Sequence, residues 1–504
     1  MEASRNRGFS TAWARAAFAL DLRSLAAYRI ALGGVLVADC LLRTRDFRLM
    51  HTATGMFTPD AVREHAGRAT CWSAALLSDS DAWAAAILAL EGVAGLLLAV
   101  GCGTRLATIL AWVAVVSIVR RTAPATNAGD SWLACQLFWA CFVPLGAVWS
   151  CDALRRGGEP GPRPQCAWSA GTAALVVQLA LVYLSAGIGK CNDTWWSGAA
   201  LGHALSVHDH GTHLGMALSD ADRIVRPLTR LVPPFEIAGA LLVLAVPVAS
   251  VRGVLVTAFA SFHLVIWGAL SVGLFAPSAI AAWLPLGPSA WRDRGRRVAG
   301  EGVCLGLGRG ATAACAAALT LAVVGWTAAM LRPVPTNDRP RLPPALEALL
   351  DLTALHQEWR MFADVRAQRQ WVVSRAVLAD GRVVDLVRGG APVETAEPAG
   401  GFMSLPHHRW HKLFWVLHEP QMRCFAPGVA AGLVRAWNAN HSAAEQVRSL
   451  EIRFGKRSLA PDDETLHELV VAAWPPRSVG GAGGLERLLE EASAGRRDGF
   501  PGVE

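Results

Sequence analysis

The chain has 504 residues, of which 53% are hydrophobic and 17% charged, and it carries a formal net charge of +7. Soluble domains average about 45–50% apolar and about 25% charged residues, so this excess of apolar side chains excludes an ordinary soluble protein. The basic residues sit in short loops between apolar runs and in the tail, not in a stripe interleaved with aromatics, which argues against a nucleic-acid partner.

Residues 1–24 form a polar, arginine-containing lead-in with no short apolar core and small-residue cleavage site, so no removable signal peptide is expected. Apolar runs follow that are long enough to cross about 30 Å of hydrocarbon. They are Leu25 to Leu42, Ala82 to Gly101, Leu106 to Val119, Ser131 to Trp149, Trp168 to Gly189, Phe235 to Val251 and Cys304 to Leu331. The tract Val254 to Leu286, broken by Pro277 and Pro285, reads as one full span plus a short or re-entrant one. Gly101 and Gly103 allow the tight reversal between the second and third runs. The fold class expected is an all-α polytopic membrane bundle of about 8–9 transmembrane helices over residues 25–331, followed by an exposed α+β domain over 332–477.

Within that domain, Trp371 to Leu378 and Val383 to Val387 flank Asp380-Gly381, a strong hairpin signal. His411 to Leu417 and Gly428 to Asn438 read as helices, Ser449 to Phe454 and Leu466 to Val471 as strands, and 478–504 as a flexible Gly-rich tail. Nine crossings put the termini on opposite sides of a cell membrane. The Arg-rich loops 155–163 and 292–297 join the N-terminus in the cytoplasm, and the C-terminal domain becomes extracytoplasmic. The 20 tryptophans fit interfacial anchoring, and the Ala, Gly and Arg content suggests a GC-rich bacterial gene.

Charges at membrane depth are costly, which makes Arg29, Asp39, Glu91, Asp130, Lys190, Glu236 and His263 candidates for function. Arg29, Asp39 and Glu91 are expected to pair as structural glue inside the bundle, Asp130 to cap a helix, and His263 to be a hydrogen-bonded core histidine. Lys190 ends an apolar span just before the polar turn at Asn192 and Asp193 and the pair Trp195-Trp196. A partly desolvated amine there can act as a base; the plainer reading is a lysine snorkelling to the interface. The 11 cysteines contain no CxxC pair, so zinc has no support, and Cys71 and Cys424 could pair if both face an oxidising compartment.

The stretch YLSAGIGKCNDTWW over Tyr183 to Trp196 resembles the segment of vitamin K-dependent gamma-carboxylases in which an apolar helix ends in a lysine, a short turn and W-x-x-G. Similar segments follow the family's order: YRIALGG at Tyr28 to Gly34 with Asp39 after it, GLLLAVGCGTR at Gly95 to Arg105, WSCDAL at Trp149 to Leu154, Phe262-His263 with Phe275, and EWRMF at Glu358 to Phe362. The chain thereby resembles the wider group of horizontally transferred transmembrane (HTTM) domain proteins. The resemblance implies a lyase that oxygenates a reduced vitamin K-type quinone and uses the strong base so formed to carboxylate glutamate residues of a protein substrate, with no metal. It puts Lys190 as the base that takes a proton from the hydroquinone, with His263 and Asp130 beside it and Trp195, Trp196 and Glu236 against the cofactor. Asp130 stands where the carboxylases have a histidine, and a carboxylate beside Lys190 would work against a base. The alternative is a non-catalytic membrane protein that binds quinone or membrane lipid and presents its exposed domain to a partner.

Overall fold

The computed structural model describes residues 12–66, 72–157, 164–206, 210–287, 304–306, 310–330, 343–365, 368–394, 397–398, 400–458 and 466–476. Helix α1 (Leu22–Thr44) starts where the Asp21 carboxylate accepts from the Arg23 and Ser24 amides. Helix α2 (Asp81–Val100) ends at Gly101, whose φ of +73° only glycine adopts freely, and the chain reverses into α3 (Thr104–Arg121). Asp152 clasps that turn, accepting 2.8 Å bonds from the Gly103 and Thr104 amides.

Helix α4 (Ala128–Ala140) opens on a reciprocal cap between Asn127 and Asp130. Then come α5 (Ala170–Gly189), α6 (Asp222–Ala245), α7 (Ala249–Ala269), α8 (Phe275–Trp283) and α9 (Ala311–Met330). Among the described residues, six helices are long and apolar enough to cross a membrane: α1, α2, α5, α6, α7 and α9.

The remaining runs among the expected eight or nine differ from these six for local reasons. The run Ser131 to Trp149 does not form one helix, because Pro144 cannot donate and disfavours helical backbone before it; α4 stops at Ala140 after 13 residues, about 20 Å. It lies almost wholly buried inside the bundle. The third run forms α3, whose 18 residues include Arg105, Arg120 and Arg121. The sixth begins earlier than its apolar stretch, tolerating Pro227, Pro233 and Pro234 within α6. Val254 to Leu286 divides as expected into the full-length α7 and the short α8.

Three short strands tie one end of the bundle together. Leu20–Asp21 pairs antiparallel with Cys166–Trp168, which pairs parallel with Cys304–Gly306. Cys166 is disulfide-bonded. The expected Cys71–Cys424 pair lies outside the described residues, because Cys71 does. Since α1 and α5 both start at this end, Arg43 and Lys190 at their far ends share the other one.

That far end carries an antiparallel five-stranded sheet in the order β3-β2-β1-β4-β5: Ala391–Pro392, Val383–Asp385, Gln368–Leu378, Val447–Ser458 and Leu466–Trp474. The β1–β2 hairpin turns at Asp380-Gly381, with Gly381 at φ +88°. Helices α10 (His408–Val416) and α11 (Ala426–Asn438) pack on the sheet. Their core is completed by the first loop, since Met50, Met56, Phe57 and Val62 join Val372, Leu413, Phe414, Phe425 and Val429. Gly428 and Gly432 make this possible: a Cβ on either would lie 2.5 Å from the Met56 oxygen or 2.8 Å from its nitrogen. Conversely Leu350, Leu355 and Trp359 join the core of the helix bundle.

Candidate functional site

Lys190 caps the C-terminus of α5, where the carbonyls of the last turn lack amide partners and attract a cation. Its side chain folds back so that Nζ donates to the Ala186 carbonyl at 3.2 Å and to Glu236 Oε2 on α6 at 2.8 Å. Both residues are buried, 4% and 5% exposed, and the Trp195 ring lies 5.6 Å from Nζ. The helices approach this closely because Gly187 has no side chain; a Cβ there would sit 2.7 Å from Ile237 and 3.1 Å from the Pro233 carbonyl.

The turn after Lys190 is roofed by the Glu358 to Phe362 segment. Trp195 Nε1 donates to the Phe362 carbonyl at 3.0 Å, and Asn192 Nδ2 to the Ala363 carbonyl at 2.9 Å. Phe362 holds φ +56°, a strained conformation for a bulky residue, which marks this roof as a constrained element of the site.

One step deeper, Tyr183 and His263 meet across α5 and α7. Trp283 Nε1 donates to the Tyr183 hydroxyl at 2.9 Å, leaving the hydroxyl hydrogen for His263 Nε2 at 2.6 Å. That network puts the imidazole hydrogen on Nδ1, which is buried and has no partner. Phe259 stacks between Phe235 (4.4 Å) and Trp283 (4.1 Å), and Phe275 closes the far side of His263 at 5.7 Å. Lys190 is near enough to act on His263 electrostatically. The result is a packed aromatic cluster that buries one unpartnered histidine nitrogen, with the buried Lys–Glu pair beside it.

A family profile for the HTTM domain matches residues 19–291, which contain the lysine, its glutamate and the histidine. The chain belongs to the HTTM family. No curated protein and no solved structure matches it. Together the domain and its six apolar helices make this a multi-pass membrane protein.

Within this HTTM domain the expected neighbours of Lys190 separate. Asp130 does not pair with it; its carboxylate receives Arg43 from α1 at 2.7 Å and Arg409 from α10 at 2.9 Å. Asp39 binds the same two arginines, each at 2.7 Å. The two arginines thus balance the two aspartates in a buried cluster, with Glu91 set against Asp39. The carboxylate beside Lys190 is Glu236 instead.

Arg29 also leaves the expected trio: ten residues before Asp39 on one helix, about 15 Å away, it donates to the Trp149 carbonyl at the opposite end. Burial opposes the charge on Arg409, but Asp130 and Asp39 outweigh it and hold the guanidinium above the usual arginine range. Trp196 is 46% exposed, so only Trp195 of the pair faces Lys190.

Sequence reasoning did not single out Tyr183, Trp283, Arg43 or Arg409. Tyr183 carried a signal, being one of only 2 tyrosines in a chain of 504 residues. Arg409 carried none, since its partners lie more than 270 positions away.

Proposed function

We propose that this HTTM protein is a carboxylase-like membrane enzyme that oxygenates a reduced vitamin K-type quinone to drive carboxylation of glutamate residues in a protein substrate. The observation that carries this reading is the buried Lys190–Glu236 pair beside an aromatic cluster whose His263 Nδ1 has no partner. The residue types suit a planar quinone ring: aromatic side chains match its faces, and the unpartnered His263 nitrogen matches one of its oxygens.

When bound and exposed to oxygen, the reduced quinone supplies the strong base that the carboxylation requires. Lys190 and Glu236 work as one acid–base pair, because the ion pair and the neutral amine–acid pair differ by one proton moved across 2.8 Å. With that proton on Glu236 Oε2, the Lys190 amine accepts a hydroxyl proton from the ring. Trp195 and Asn192, bonded to the 362–363 backbone, keep the roof closed against water, which would quench a strong base.

The position of Asp130 favours a second reading. Tied to Arg43 and Arg409 rather than to Lys190, it does the work of a structural anion. This suits a non-catalytic quinone- or lipid-binding protein whose exposed domain meets a partner.

The two readings part in one assay. Purified protein in detergent, given reduced vitamin K and oxygen, is expected to form the quinone epoxide; folded protein that binds the quinone saturably without forming epoxide would leave the binding reading.

Arg155 and Arg156, beside the end that carries Leu20–Asp21, support a cytoplasmic placement of that end, with the sheet domain outside. The Cys166 disulfide at the same end opposes this, since such bonds form in oxidising compartments. Cys191, exposed at the sheet-domain end, decides it. An impermeant maleimide on intact cells is expected to lose a label when Cys191→Ser is introduced, and labelling that needs permeabilised cells would reverse the orientation.

A further inference from the structure

The first turns of α6 leave two stripes outside the protein core. Arg223, Arg226 and Arg230 follow one another at intervals of three and four residues, and so do Ile224, Leu228 and Leu231 on the face beside them. All six are exposed, whereas Val225 and Thr229 are buried. Arg230 fixes the level of the stripes, because it donates at 3.0 Å to the Trp196 and Ser197 carbonyls in the turn that follows Lys190. At the same end of the bundle Trp196 and Trp267 are each about half exposed, and indoles gather where hydrocarbon gives way to headgroups.

The charges on this face are only partly answered. Asp222 meets Arg226 at 3.2 Å, with both side chains more than half exposed. Arg230 bonds neutral carbonyls, and neither it nor Arg223 forms an ion pair among the described residues. From Arg223 to Arg230 the helix rises about 10 Å, enough to carry guanidiniums through the headgroup layer of one leaflet, about 5–8 Å thick. A soluble anion would meet the arginines and leave Ile224, Leu228 and Leu231 in water, while an apolar partner helix would cover those three and strand the guanidiniums. A phospholipid supplies both halves, a phosphate for the arginines and an acyl chain for the stripe beside them.

We infer that the exposed face of α6 from Arg223 to Leu231 is a docking surface for an anionic phospholipid, with the phosphate on Arg223 and Arg230 and an acyl chain along Ile224, Leu228 and Leu231. The surface is separate from the Lys190–Glu236 pair and stands whether or not the protein oxygenates a quinone.

The test uses the full chain, delipidated in detergent, with bound lipid counted by native mass spectrometry. Phosphatidylglycerol and phosphatidylcholine with the same acyl chains are titrated against wild type, Arg223→Gln/Arg230→Gln and Arg223→Lys/Arg230→Lys of matched melting temperature, and glycerol phosphate and inorganic phosphate serve as competitors without chains. Wild type is expected to bind phosphatidylglycerol in preference to phosphatidylcholine. The glutamine variant should bind it about tenfold or more weakly, and the lysine variant should keep most of the affinity. The inference is overturned if wild type binds the two lipids alike, or if the glutamine variant binds phosphatidylglycerol as wild type does. It is also overturned if either chain-free phosphate displaces the lipid at matched concentration, which would assign the arginines to a free anion.

Discussion

Replacing Arg409 by methionine is expected to destabilise the protein by about 3–5 kcal/mol, the effect of removing one partner from a buried ion pair. Arg409 bonds Asp39 and Asp130 together, and all three side chains are at most 6% exposed, so water cannot stand in for the lost guanidinium. Arg43 alone would face two aspartates. The loss should localise, because α10 reaches the helix bundle through this contact: the sheet domain becomes sensitive to protease before the bundle melts. Adding Asp130→Asn restores the charge balance and should recover part of the stability, with the remainder reflecting the lost bonds to Asp39. Melting and proteolysis in detergent check this. An Arg409→Met protein that melts and resists protease like wild type would show that the cluster does not hold the two parts together.

The second large effect is at Lys190. Lys190→Met leaves Glu236 buried without its cation, at a similar penalty of about 3–5 kcal/mol for as long as the carboxyl stays ionised. Adding Glu236→Leu removes the orphan, and well-packed apolar replacement of both partners is often neutral, so the double variant should regain most of the stability. Its activity should not return. A positioned base contributes about a hundredfold or more, which no leucine or methionine can supply. Recovery of folding without recovery of epoxide therefore separates a chemical role from the plainer one, a lysine that merely caps α5.

The sequence disclosed what local chemistry controls. The α2–α3 hairpin followed from Gly101 and Gly103, the β1–β2 hairpin from Asp380-Gly381, and the end of α5 at Lys190 from an apolar run meeting Asn192 and Asp193. Apolar periodicity misplaced helix ends where a proline lay inside a run: Pro144 ends α4 early, whereas Pro233 and Pro234 sit within α6, so the same residue broke one helix and was absorbed by another. What stayed hidden is long-range pairing. Glu236 was visible as a buried charge but not as the partner of Lys190, and Asp130 was legible as a cap yet not as an anion for arginines drawn from α1 and α10. The extra strand length, such as β4 over Val447–Ser458 against an expected Ser449 to Phe454, reflects pairing with β1 and β5 that extends past the apolar segment.

The most direct test is the rate of epoxide formation from reduced vitamin K by the refolding-competent Lys190→Met/Glu236→Leu variant beside wild type, at matched melting temperature. An epoxide-forming wild type and a silent, folded double variant are the predicted result, placing proton handling on the Lys190–Glu236 pair. Epoxide formed by the double variant at the wild-type rate would contradict it.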